Sequence, residues 1–160
     1  MKITLNEDRY ASIRNLIEDV NTNKNILSNY VNCEDLICLL NEMANADTRT
    51  IDGQTKRLLA YMLKCKYQPS KFSRSWVNTV QDSSEVINDI CVKSKSLYNY
   101  YVNNFNKNYK SAIYYAHNET RLNISVFPIN CEWDKDDILN EEFISQFIDE
   151  CANNSTNIYY

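Results

Sequence analysis

Four cations, Lys64, Lys66, Lys71 and Arg74, are interleaved with Tyr67, Phe72 and Trp76 in one short stretch of the chain. Cations that neutralise phosphates beside rings that stack on bases are the ingredients of a nucleic-acid surface. Lys66, Lys71, Arg74 and Trp76 are the candidates for that chemistry. The competing expectation is structural: Tyr67, Pro69 and Trp76 form a buried corner between two helices, and the cations meet acids elsewhere in the fold. The formal net charge of −4 favours the second expectation, because a net negative chain repels phosphate.

A second set of charges lies near the C-terminus, where Asp134, Asp136, Asp137, Glu141 and Glu142 crowd together. Adjacent residues on a helix point apart, so these doublets read as a solvated face rather than as an acid and base sharing a site. Such a face suits a basic protein partner, a toxin such as a nuclease, through charge complementarity that speeds association. The distribution of charge supports an electrically two-faced molecule. Residues 53–81 carry six basic side chains and no acidic one, whereas residues 132–160 carry one basic and eight acidic.

Other chemistries lack their residues. The lone His117 sits two before Glu119, but a zinc deaminase would also need a downstream proline and C-x-x-C, and Cys131 stands alone. No nucleophile elbow accompanies it. We therefore expect no catalytic residue, no metal and no cofactor. The six cysteines (Cys33, Cys38, Cys65, Cys91, Cys131, Cys151) form no close pair and read as reduced, mostly buried small hydrophobes.

One glycine and two prolines in 160 residues leave little punctuation for hairpins or phosphate loops, so the expected fold is all-α. The length suits one domain, residues 1–160, with a tail fraying from about 153. No apolar run is long enough to span a membrane and the start MKITLNEDRY has no secretory layout, so the expected setting is the cytoplasm, with no membrane partner.

The elements that must position these residues follow from apolar periodicity. Thr4 and Glu7 are spaced as a capping box for a first helix to about Val20, and Asn21–Asn25 reads as a loop. Asn32 caps a second helix with Leu36, Ile37, Leu40, Met43 and Ala44 inward. Asp52 caps a third, carrying Leu58, Leu59, Met62 and Leu63, which Pro69 ends. A fourth runs from about Phe72 to Val92, with a polar middle (Gln81–Glu85) where it can bend. A fifth, capped by Ser94 or Ser96, carries the clearest stripe, Tyr98, Tyr101, Val102, Phe105, Tyr109, Ala112, Ile113 and Ala116, and is expected to be the longest. Off that stripe, Tyr100 and Tyr114 are candidate interface rings. Arg121–Trp133 reads as an irregular segment, and a last helix starts near Asp134, burying Ile138, Leu139, Phe143, Ile144, Phe147 and Ile148. The expectation is a single bundle of about six helices with an irregular segment before the last.

Some of these residues also resemble a known family. Leu58, Leu59, Leu63 and Lys64 followed by Tyr67, Gln68, Pro69, Ser73, Arg74 and Trp76, then Tyr109, Ala112, Glu119, Thr120, Phe127, Pro128 and Cys131, are similar in order and spacing to the bacterial domain of unknown function 29. The likeness is strongest over Gln54–Trp76 and Tyr109–Trp133; before residue 50 only the apolar and acidic character of Asp35–Asn45 is similar. The resemblance implies a helical domain and supplies no catalytic residue. Two functional expectations stand. One is a non-enzymatic protein-binding module, of the antitoxin or immunity type, using the acidic C-terminal face; the alternative is a nucleic-acid-binding protein or minimal nuclease using the basic cluster around Lys66–Trp76.

Overall fold

The computed structural model describes residues 8–156, so the capping box of Thr4 and Glu7 lies outside the described residues. Asp8 starts α1 (Arg9–Thr22), its Oδ1 accepting the Ala11 amide at 3.0 Å. The same carboxylate accepts the Ser94 hydroxyl at 2.8 Å and, through Oδ2, the Ser96 amide at 2.9 Å. One side chain thus caps α1 and ties it to the start of another helix. Burial pushes the Asp8 carboxyl up, but these donors outweigh it and hold it below its ordinary value. Asp8→Ala should cost about 2 kcal/mol, the worth of hydrogen bonds to a charged group. A group with a depressed folded-state pKa stabilises above its unfolded value and loses that contribution as pH falls through the folded one. The gap in thermal midpoint between wild type and variant should therefore close below about pH 4.

The expected loop at Asn21–Asn25 shrinks to Asn23, which ends α1 and begins the four-residue α2 (Lys24–Leu27). The connection falls later, at residues 28–32. Asn32 then caps α3 (Cys33–Tyr67), accepting the Glu34 and Asp35 amides at 3.1 and 3.2 Å.

α3 is one helix of 35 residues where two were expected, about 52 Å long at 1.5 Å per residue. Asp52 caps nothing. Its carboxylate reaches across to the Tyr100 hydroxyl and the Asn108 side-chain amide, both at 2.8 Å. With no proline before Pro69, nothing breaks the helix, and Ile51, Thr55 and Leu58 carry the buried face through the polar stretch.

Pro69–Lys71 forms a short 3₁₀ turn, after which Ser73 caps α4 (Arg74–Lys93). The polar middle of α4 does not interrupt the helix, and Ser83 and Ser84 within it are buried. Ser94 caps α5 (Lys95–Thr120), its Oγ accepting the Leu97 amide at 3.1 Å. At 26 residues α5 is shorter than α3, but its expected stripe holds, with Tyr101, Phe105, Tyr109, Ala112, Ile113 and Ala116 buried. Arg121, in the left-handed region at φ 61°, turns the chain into the irregular segment. That segment contains one 3₁₀ turn (Ile124–Val126) and lies over the bundle, with Phe127 buried and the Tyr109 hydroxyl donating to the Pro128 carbonyl at 2.7 Å.

The last helix starts later than expected. Residues 134–140 form turns, including a 3₁₀ turn at Asp137–Leu139, and α6 spans Glu141–Thr156, its start bonded by Asn140 Oδ1 to the Phe143 amide at 3.0 Å. The tail expected to fray from residue 153 is helical as far as Thr156. The fold is an all-α bundle with six α-helices and no strand among the described residues. Its main core joins the C-terminal half of α3 to α4, α5, α6 and Phe127. A small second core, Ile13, Ile17, Leu40 and Ala44, joins α1 to the N-terminal half of α3. No described helix is long and apolar enough to cross a membrane.

Candidate functional site

The acidic residues are fastened from beneath. Trp133 packs edge-on to Phe147 with ring centroids 5.5 Å apart. Two residues on, the Tyr101 hydroxyl donates to the Lys135 carbonyl at 2.7 Å and the Tyr98 hydroxyl to Asp136 Oδ1 at 2.7 Å. The bond to Asp136 raises the Tyr98 phenol above its ordinary value, and burial does the same to Tyr101. Ser84 Oγ, from α4, donates to the Ile138 carbonyl at 2.7 Å, and the Ile138 side chain is fully buried. Three hydroxyls and one apolar plug therefore hold the turn that presents the acids.

Asp134 and Asp136 lie in this turn rather than on a helix, because Asp134 Oδ1 accepts the Asp136 amide at 2.8 Å. A short carboxylate bonded to its own backbone two residues on favours a turn over a helix start. Asp137, Glu141 and Glu142 are exposed beside it. Of the five expected acids, only Glu141 lines the groove between α4 and the start of α6, a cavity of about 510 Å³ walled also by Gln81, Asp82, Glu85, Asn88 and Asp89 around Ser84, Leu139 and Ile144. Asp136 lines a smaller neighbouring cleft with Asn88, Val92 and Tyr98, and Asp134 a third against α5. Asp137 and Glu142 line none of the three.

Asp82, Glu85 and Asp89 were missed by sequence reasoning, although their spacing at i, i+3 and i+7 places them on one helical face. With Glu141 they give the groove four carboxylates and no cation among its lining.

The basic cluster is divided. Lys66 is bonded to Glu132 at 2.8 Å, and the Tyr67 hydroxyl donates to the same carboxylate at 2.9 Å. Burial pushes the Glu132 carboxyl up, yet the bonds from Lys66 and Tyr67 prevail and leave it below its ordinary value. Burial first and Glu132 second push the Tyr67 phenol to about 12. Lys64 is buried, 3.0 Å from Glu119, with its ammonium 4.0 Å from the Tyr61 ring centroid and 4.5 Å from that of Trp76. Lys71 and Arg74 are exposed and form no ion pair among the described residues.

The expected buried corner is looser than anticipated. Tyr67, Pro69 and Trp76 are half-buried, and the two rings pack in different directions, Tyr67 edge-on to Phe127 at 5.7 Å and Trp76 edge-on to Tyr61 at 6.4 Å. The acids that meet the cations, Glu119 and Glu132, come from the end of α5 and the irregular segment. Tyr100 is spent on Asp52 rather than free for an interface, while Tyr114 is exposed. His117 Nδ1 lies 2.7 Å from the Leu122 carbonyl, a contact that secures the end of α5. Cys38 is exposed, Cys131 half-buried, and the other four cysteines are buried; burial pushes Cys65 to about 12 and Cys91 and Cys151 to about 11. No group of three or more His, Cys, Asp or Glu among the described residues is placed to hold a metal ion.

A family model described as "Domain of unknown function DUF29" matches residues 7–144. The match covers most of the chain, so the protein belongs to that family; it includes the N-terminal helices, where the likeness of individual residues was faint. No curated protein and no solved structure matches the chain.

Proposed function

We propose that this member of the family is a non-enzymatic, cytoplasmic protein-binding module, of the antitoxin or immunity type, which takes a basic partner such as a nuclease on its acidic C-terminal face. The groove between α4 and α6 carries this reading. Four carboxylates surround a cavity whose floor includes Leu139 and Ile144, a combination that suits a lysine or arginine with its apolar stem. Asp134, Asp136, Asp137 and Glu142 extend the negative field around it and steer a cationic partner inward.

The nucleic-acid reading draws on Lys71 and Arg74, which are exposed and form no ion pair among the described residues. Against it, Lys66 is already bonded to Glu132 and the Trp76 ring is covered by Lys64, so half of the four candidates are engaged within the fold.

The partner recovered by affinity capture should be basic. Reversing Asp82, Glu85, Asp89 and Glu141 to lysine should slow its association at least about tenfold at low salt. Reversing Lys66, Lys71 and Arg74 to glutamate should leave the rate nearly intact. A strong, salt-sensitive shift of a DNA or RNA oligomer by the wild type, abolished by the Lys66/Lys71/Arg74 reversal, would sink this proposal in favour of the second reading.

A further inference from the structure

The outward face of α3 has a pattern that the bundle does not use. Leu39, Met43, Ala46, Thr50, Gly53 and Arg57 recur at alternating steps of four and three, and all six are exposed, Leu39 at 65% and Met43 at 47%. The buried residues of the same helix, Leu40, Ala44, Thr48, Ile51, Thr55 and Leu58, lie on other positions of the seven-residue repeat. Steps of four and three with large apolar members define the seam of a helix pair.

Gly53 is the only glycine in the chain. Its φ is not positive, and a Cβ placed there would meet nothing within 4 Å. Neither backbone conformation nor packing among the described residues accounts for a residue that weakens a helix. A gap for a side chain arriving from outside does account for it.

The flank of this seam reads Asp35, Glu42, Arg49 and Lys56 at intervals of seven, two acids followed by two bases. Glu42 and Arg49 lie 3.4 Å apart as an exposed pair.

We propose that this face of α3 is the seam of an antiparallel homodimer. With a two-fold axis at the level of Thr48, Met43 of one copy lies over Gly53 of the other, Ala46 over Thr50, and Leu39 over the stem of Arg57. The acidic half of each flank then faces the basic half of the other copy. A parallel pair would instead set this flank against Leu40, Asp47, Gln54 and Tyr61 of the other copy, with Glu42 against Asp47 and no acid opposite Arg49 or Lys56. The face is therefore complementary to itself in both size and charge under one operation, the condition for a closed isologous contact. A seam of about five turns is shorter than a standard stable interface, so association should occur on the order of micromolar concentrations.

Sedimentation equilibrium of the full chain tests this, with a dimer expected at twice the 18.8 kDa chain mass. Gly53→Leu should raise the thermal midpoint of the monomer, because glycine leaves a helix, and weaken the dimer at least about tenfold by filling the gap. The variants Asp35→Lys/Glu42→Lys and Arg49→Glu/Lys56→Glu should each be monomeric alone and form a one-to-one dimer when mixed. A wild type that stays monomeric to about 1 mM, a dimer indifferent to Gly53→Leu, or two charge variants that fail to pair would each overturn the proposal.

Discussion

Trimming Ile138 to alanine should lower the unfolding free energy by about 3 to 4 kcal/mol, near the upper part of the range for a large-to-small change in a core. The side chain is fully buried, and its own carbonyl holds Ser84 across the α4–α6 boundary. The cavity would open directly beneath the turn that carries Asp134, Asp136 and Asp137, so the loss should not stay local. Denaturant titration checks the stability, and affinity for the captured basic partner checks the consequence, which should be a weakening in the same variant. Lost stability with unchanged affinity would mean that the acidic turn contributes nothing to recognition.

Trp76→Ala should cost about 3 kcal/mol, the low end for a large aromatic because the ring is only half-buried. Packing is one part of this loss. The other is the Lys64 ammonium, which would keep Glu119 but lose one of its two ring faces and become wetter. A double-mutant cycle with Lys64→Met separates the two parts, since the cation–ring share should vanish when the cation is absent. An unchanged thermal melt for Trp76→Ala would show that the ring is idle in the fold and available to stack on a base.

Both substitutions fall where sequence and structure diverge in instructive ways. The α5 stripe and the inward face of α6 are legible because apolar side chains repeating at helical spacing leave one packing solution. Pro69 marks the end of α3 for a different, local reason, the restriction a proline puts on the residue before it, whereas the Ser73 cap is missed and the start of α4 is expected near Phe72. Asp52 misleads because a short carboxylate suits a cap, and nothing nearby in the chain announces Tyr100 and Asn108 as its partners. Asp134 misleads in the opposite sense: acids in a first helical turn satisfy the helix dipole, but this one bonds its own backbone and makes a turn instead. The groove was the largest omission. Asp82 and Glu85 read along the chain as a polar interruption and Asp89 as one more surface acid, and the three become a wall only when α6 arrives opposite them.

The same residues give α4 an uneven field. Arg74 stands at its first position and Lys93 at its last, with Asp82, Glu85 and Asp89 as an acidic band between them. Lys93 suits the negative end of the aligned peptide units and Arg74 is repelled by the positive one. The acids between them cap neither end, so their field is projected outward. A cationic body diffusing past would feel a torque as well as an attraction, and would begin to turn toward the α4–α6 edge while still separated from it by water.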